Sequence, residues 1–215
     1  MELLFPPKCI LCGRILEENE TDLCHGCRTD GPEYPVDKRK LPFLDSTAAV
    51  WYYEGPVRGS LLRFKFYGKR SYAPAYGRLL SMKLMQAHPE GFDLVTWVPV
   101  SPLRKLKRGF DQGELLSDFV GRELETDSVK LLRKIRHNRP QSGITGDAHR
   151  RANVLGAYKI LQPELICGKR ILLLDDIITT GATAGECARV LLTAGAKEVH
   201  LGAVAAARRN AKKVR

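Results

Sequence analysis

The stretch Ile171-Leu172-Leu173-Leu174-Asp175-Asp176-Ile177-Ile178-Thr179-Thr180-Gly181-Ala182-Thr183 decides the fold. Apolar residues lead into two adjacent carboxylates, then into a turn of hydroxyl-bearing and small residues, and Ala184–Leu192 has the composition of a helix. This predicts a strand, a loop and a helix start, an arrangement that holds phosphate. The N–H groups of the first helical turn have no partner within the helix, and the helix dipole is positive at that end. Thr179, Thr180 and Thr183 add hydroxyl donors. Two carboxylates beside a phosphate cradle make sense if the ligand carries vicinal hydroxyls a short way from its phosphate, as ribose 5-phosphate does. Asp175 and Asp176 would accept hydrogen bonds from the 2- and 3-hydroxyls, and such charge-assisted bonds are stronger than neutral ones. An acidic pair alone would read as a polar turn and helix cap closing a buried strand; the whole run favours the ligand. No G-x-x-x-x-G-K-[ST] or G-x-G-x-x-G occurs, which excludes a P-loop and a dinucleotide fingerprint.

With its hydrophobic strand, acidic pair, two apolar residues and Thr-Thr-Gly-x-Thr, the run resembles the phosphoribosyl pyrophosphate (PRPP) signature of type I phosphoribosyltransferases. The resemblance implies that Asp175 and Asp176 hold the ribose diol. It also implies that Thr179, Thr180, Gly181, Ala182 and Thr183 hold the 5-phosphate, with magnesium bridging the pyrophosphate.

The 215 residues suffice for one good core with a small appendage, and 44% hydrophobic with 27% charged residues is ordinary for a globular chain. No apolar run approaches the ~20 residues that span a bilayer. The N-terminus has no charged n-region ahead of an apolar stretch, so the expected compartment is the cytoplasm. The formal net charge of +11 points to a polyanionic partner or to a solvated basic face, and PRPP is itself polyanionic.

Four of the six cysteines fall in the first 27 residues, as Cys9-x2-Cys12 and Cys24-x2-Cys27. Each pair can grip one face of a tetrahedral ion, and the short link lets the pairs converge. Without a secretion signal, disulfides are not expected. Four thiolates make a closed, structural zinc site, and metal binding would supply much of the folding energy of so small a head. Gly13 and Gly26 suit the knuckle turns, His25 reads as a surface residue, and Cys167 and Cys187 read as small core residues.

Residues 28–45 are polar and proline-bearing and read as a linker or strap. The expected division is a zinc-finger head with linker over 1–45 and a second domain over 46–215. Within the latter, the patterning predicts strands over Ser46–Tyr53, Leu94–Val98 and Glu198–Ala205, and helices over Val57–Phe66, Tyr72–Ala87 and Gln112–Glu123. Strands alternating with helices predict an α/β fold, a parallel sheet flanked by helices, whose ligands sit beyond the carboxyl ends of the strands. Val98 and Leu174 are expected to end two such strands, so the loop after Pro99 would face the threonine turn. Ser101, Arg104, Lys105 and Arg108 on that loop could bind the pyrophosphate arm. Residues 136–153 have no periodicity and read as a lid, with Arg139, Gln141, Arg150 and Asn153 reaching toward the ligand.

These segments together are similar to the competence protein F family of bacteria, whose members act in DNA uptake. The similarity rests on Phe5-Pro6-Pro7-x-Cys9-x2-Cys12-Gly13, Leu23-Cys24-x2-Cys27, Phe64-Lys65-Phe66-x-Gly68, Val98-Pro99-Val100, Arg108-Gly109-Phe110-x-Gln112, Arg150-x2-Asn153 and the run above. Asp111, Ile144 and Tyr158 stand where the family usually has Asn, Leu and Phe. The resemblance implies a zinc finger on a type I phosphoribosyltransferase-like domain, with a place in natural transformation beside a helicase-like partner. Two activities remain open. One is a magnesium-dependent phosphoribosyltransferase of unspecified acceptor. The other is a non-catalytic accessory that keeps the PRPP site and binds single-stranded DNA or a protein partner, with Phe64, Phe66, Tyr67 and Tyr72 beside Lys65, Lys69 and Arg70 as a stacking surface.

Overall fold

A computed structural model describes residues 6–35, 40–136 and 154–208. The strands are β1 (Ser46–Tyr52), β2 (Leu94–Trp97), β3 (Leu132–Lys134), β4 (Tyr158–Ile160), β5 (Arg170–Ile178) and β6 (Glu198–Ala206). The helices are α1 (His25–Thr29), α2 (Gly55–Phe66), α3 (Ala73–Ala87), α4 (Pro102–Arg108), α5 (Gln112–Glu123) and α6 (Ala182–Thr193). Four strands form a parallel sheet in the order β1-β6-β5-β2, and β3 and β4 make a separate antiparallel pair.

The central strands are apolar at successive positions because both faces of the sheet are covered. Alternation along β5 sends Leu172 and Leu174 to one side, where they join Val95, Trp97 and the buried residues of α2, α3 and α5. Ile171 and Leu173 go to the other side, against Val199, Leu201, α6 and the β3–β4 pair. Both outer edges are covered. Val95 of β2 donates to Asp127 O and accepts from Val129 N, while Tyr52 of β1 donates to Pro32 O and Val50 accepts from Tyr34 N. In its described part the proline-bearing segment is therefore a strap along β1.

The head shares the first of these cores. Cys9, Ile10, Leu11, Leu16, Leu23 and Cys24 are buried in one cluster with Trp51, Leu61, Phe64 and Tyr76. Arg78 of α3 grips the Asp22 carboxylate through both Nε and Nη2, at 3.0 and 2.6 Å. No helix among the described residues is long and apolar enough to cross a membrane.

Four sequence expectations need correction. The basic stretch after Pro102 is the helix α4, not a loop: Ser101 sits at its N-cap, Pro102 opens its first turn and Gly109, at φ +76°, closes it. Strand β5 does not end at Leu174 but runs on to Ile178, paired with β6. Cys167 is exposed, whereas Cys187 is buried as expected. Gly26 lies in the short helix α1, and of the two head glycines only Gly13 has a positive φ. The expected lid falls, apart from Arg136, outside the described residues.

Candidate functional site

The site exists because β5 outlasts its neighbour. β2 ends at Trp97, opposite Leu174, and Val98 N donates to Leu174 O before Pro99 intervenes. Proline has no N–H to continue the ladder, so the chain turns away. The last four residues of β5 keep β6 on one side and open space on the other, and Asp175 and Asp176 project from this overhang. The resulting pocket, ≈180 Å³, is lined by both aspartates together with Thr179 and Gly181 from the turn, Thr183 from the first turn of α6, and Arg104 and Arg108 from α4.

Helical phase decides which basic residues arrive. Positions 104 and 108 are four apart and share a face of α4. Lys105 is turned away and pairs with Glu114 at 2.5 Å, and Ser101 is buried at the helix start; neither lines the pocket. Asp111 caps α5, accepting from Gly113 N at 3.0 Å and Glu114 N at 3.4 Å, and its second oxygen accepts from Val100 N at 3.2 Å. Its carboxylate thus ties the turn after Pro99 to α5.

The threonine turn ends at Gly181, the N-cap of α6. Its φ of +79° suits glycine, and a Cβ there would lie 2.5 Å from Leu41 Cδ1. Gly181→Ala is expected to destabilise the chain by about 2 kcal/mol or more, through left-handed strain and displacement of Leu41, and to lower the urea midpoint accordingly. An unchanged midpoint would contradict this packing. Gly181 offers no side chain to cap α6; Ala182 N donates to Thr180 Oγ1 at 3.3 Å, and Gly181, Thr183 and Ala184 bring the helix start to the pocket wall, where helix N-termini favour anions. Thr180 and Ala182 line a neighbouring, more apolar cavity with Leu41, Phe43, Glu186 and Arg189.

Three polar lining residues lie outside the sequence reading of the pocket: Lys65, Lys134 and Tyr158. Lys65 reaches in from the last turn of α2 and its Nζ lies 2.8 Å from Asp176 Oδ1. Phe64-Lys65-Phe66, already quoted for the family resemblance, was the available signal. Lys134 and Tyr158 come from the β3–β4 pair, with the Lys134 ammonium 5.4 Å from the Tyr158 ring centroid. Burial and the neighbouring Arg104 pull the Lys134 ammonium below its ordinary value. Burial, then the charge of Asp176, pushes the Asp175 carboxyl up to about 8, against the opposing pull of Lys65. The floor thus holds one acid that burial and its neighbour favour in the protonated form, beside a second whose partner is Lys65, under a rim of Arg104, Arg108 and Lys134. The pocket as a whole is cationic and suits a polyanion with hydroxyls.

In the head, the ligand atoms of Cys9, Cys12, Cys24 and Cys27 lie within 4.8 Å of one another. Burial alone would raise the Cys9 thiol, but backbone N–H groups of Cys12, Cys24 and Leu11 directed at its sulfur bring it down to about 7. Burial and the neighbouring sulfurs push the Cys27 thiol up. Four converging sulfurs, one favoured as thiolate and another disfavoured by its neighbours, fit a divalent ion that lets all four ionise. The donor set fits structural zinc.

Residues 111–215 match the family described as phosphoribosyl transferase domain, and residues 1–36 match the double zinc ribbon domain. Competence protein F of Haemophilus influenzae is 25% identical, over 93% of this chain and 97% of its own. DNA utilization protein YhgH of Escherichia coli strain K12 is 28% identical, over 90% of this chain and 87% of its own. Competence protein ComFC of Bacillus subtilis strain 168 is 27% identical, over 87% of this chain and 72% of its own. Among solved structures, the allosteric regulatory enzyme of purine biosynthesis aligns at 21% identity and a TM-score of 0.45, over 66% of this chain and 29% of its own, so this chain spans less than a third of that one. The fold is a parallel sheet flanked by helices, of phosphoribosyltransferase type, with a four-cysteine zinc ribbon at its N-terminal end.

Proposed function

Because the chain belongs to the competence protein F family, with a phosphoribosyl transferase domain behind a double zinc ribbon, we propose that its pocket binds PRPP in the service of DNA uptake or use. One observation carries the reading: an acidic pair, a helix N-terminus behind a threonine turn, and two arginines from a facing helix meet in a single pocket. Asp175 and Asp176 would accept the ribose hydroxyls, Thr179 and Thr183 with the α6 N–H groups the 5-phosphate, and Arg104 and Arg108 the pyrophosphate. Magnesium would arrive on the pyrophosphate and neutralise part of its charge, with the two aspartates as the oxygen donors the pocket offers. Should an acceptor attack C1, pyrophosphate departs, and the arginines are placed to stabilise its growing charge. No side chain need act as nucleophile.

Calorimetric titration with PRPP and magnesium tests the assignment. Wild type is expected to bind, and Asp175→Asn with Asp176→Asn to lose at least about 100-fold in affinity, the two charge-assisted contacts contributing roughly 1.5 kcal/mol or more each. Equal affinity in the folded double variant would remove the pocket from this role.

A second reading, a surface for single-stranded DNA, draws on Phe66 and Tyr67, which are 60% and 75% exposed. The Arg108 guanidinium stacks on Phe66 at 5.0 Å, and Lys69 and Arg70 follow in sequence. Of the other two aromatics in the expected stacking surface, Phe64 is wholly buried and Tyr72 partly so. Binding that weakens steeply with salt would favour this surface, and salt-independent binding would not.

A further inference from the structure

Helix α2 touches the zinc head on one side and the pocket on the other. Ile10 and Leu11 are the two residues between Cys9 and Cys12, and both give their carbonyls to α2. Ser60 Oγ donates to Ile10 O, and Arg63 Nη2 donates to Leu11 O at 2.6 Å and to Ile10 O at 3.2 Å. Cys9 and Cys12, whose sulfurs converge with those of Cys24 and Cys27, bracket these two residues. One peptide segment is therefore pinned from two directions, by the metal-binding cysteines and by Arg63. Phe64 follows, fully buried, with ring centroids 5.4 Å from Tyr76 and 5.8 Å from Phe110. Lys65 comes next and ends on Asp176.

We infer that Ser60 and Arg63 are positioning residues through which the metal-held knuckle sets the placement of Lys65 in the pocket. The physical reason lies in the last turn of α2. Lys65 has a long, flexible side chain whose ordering costs entropy, and a near-buried ion pair repays that only if the backbone is already in place. Phe64 fixes the depth of this turn and Arg63 fixes its rotation about the helix axis. The side chains of Lys65 and Asp176 are 17% and 13% exposed, so a small rotation of the turn would exchange their contact for solvent. The carboxylate that Lys65 orients is one of the two assigned to the ribose diol, so the affinity arm of the test rests on that assignment and the labelling arm does not.

The test uses the full zinc-loaded chain in four forms: wild type, Arg63→Met, Lys65→Met and the double variant. Zinc content and thermal melting establish that each is loaded and folded. Lys65 acetylation is followed by mass spectrometry, with the more exposed Lys197 as reference, and PRPP affinity is measured by calorimetry. In wild type, Lys65 is expected to react more slowly than Lys197, and Arg63→Met to raise its rate about fivefold while leaving Lys197 unchanged. Arg63→Met is expected to weaken PRPP about tenfold and Lys65→Met about 30-fold, with the double variant within about twofold of Lys65→Met because both act through one contact. Arg63→Lys, which keeps a donor for one carbonyl, is expected to label at an intermediate rate, and it serves if the methionine variant does not fold. Unchanged Lys65 labelling in the Arg63 variants, or losses that multiply in the double variant, would overturn the inference. If wild type binds no PRPP, the ligand assignment fails, and the labelling result still decides the coupling.

Discussion

Cys24→Ser is expected to abolish stoichiometric zinc binding and to lower the melting temperature by more than about 10 °C, far beyond a single ordinary core substitution. The head has few apolar residues of its own, and apparent metal-binding energies for such four-ligand sites reach about 10–16 kcal/mol. Its loss does not stay local. Ile10, Leu11, Leu16 and Leu23 are shared with the cluster that holds Trp51, Leu61, Phe64 and Tyr76. Unfolding the knuckles uncovers the sheet face beneath them and leaves the buried Ser60 hydroxyl without its Ile10 carbonyl, keeping only Tyr76 Oη at 2.6 Å. Trp51 reports on the event because the head covers it; a Cβ on Gly31 would lie 3.2 Å from its Nε1. Its emission is expected to shift to the red in the variant and in wild type treated with a strong chelator, while the buried Trp97 changes little. A Cys24→Ser protein that retains a full equivalent of zinc, or melts within about 2 °C of wild type, would show that the metal site carries none of this load.

What was legible in the sequence was what short-range pattern fixes. The run Ile171–Thr183 could be read because a parallel strand covered on both faces is apolar throughout and an acidic pair at its end is conspicuous. Helix α5 falls at Gln112–Glu123, where the patterning places it, with Asp111 found as its cap, and the four cysteines converge because tetrahedral geometry dictates their spacing. The arginines were half legible. Read as a loop, Ser101, Arg104, Lys105 and Arg108 were equivalent, whereas on α4 the helical phase selects Arg104 and Arg108 and turns Lys105 to Glu114. Lys65 and Lys134 escaped for another reason. Each enters from an element whose approach to β5 depends on tertiary packing, and nothing in the local pattern says where the end of α2 or a three-residue strand will point.

Asp175→Asn is expected to make the chain more stable and the pocket worse at its task. In the folded protein the Asp175 carboxyl is pushed up to about 8 by burial and by Asp176, while in the unfolded chain it titrates near 3.9. Between about pH 4 and pH 8 the folded state therefore holds a proton that the unfolded state has released, and stability falls as pH rises through that window. Above about pH 8 both states are ionised and the full penalty of a half-buried carboxylate beside a second one is present. Asparagine removes that charge at nearly constant shape and can still accept the 2.9 Å hydrogen bond from Asp176 N. At pH 8 the variant is expected to gain about 2 kcal/mol, or about 4–8 °C in melting temperature for a chain of this length. The gain should shrink toward pH 5, where wild-type Asp175 is protonated in the fold. Binding should move the other way. A ligand that needs the ionised carboxylate must displace the proton, so wild-type affinity for PRPP is expected to rise from pH 6 to pH 8. Calorimetry in buffers of different ionisation enthalpy is expected to record up to one proton released on binding at pH 7. Asparagine has no such proton, so its affinity should be low and flat with pH. Equal melting temperatures for wild type and Asp175→Asn at both pH 5 and pH 8 would refute the strained acid, and wild-type binding without proton release would refute its use in holding the sugar.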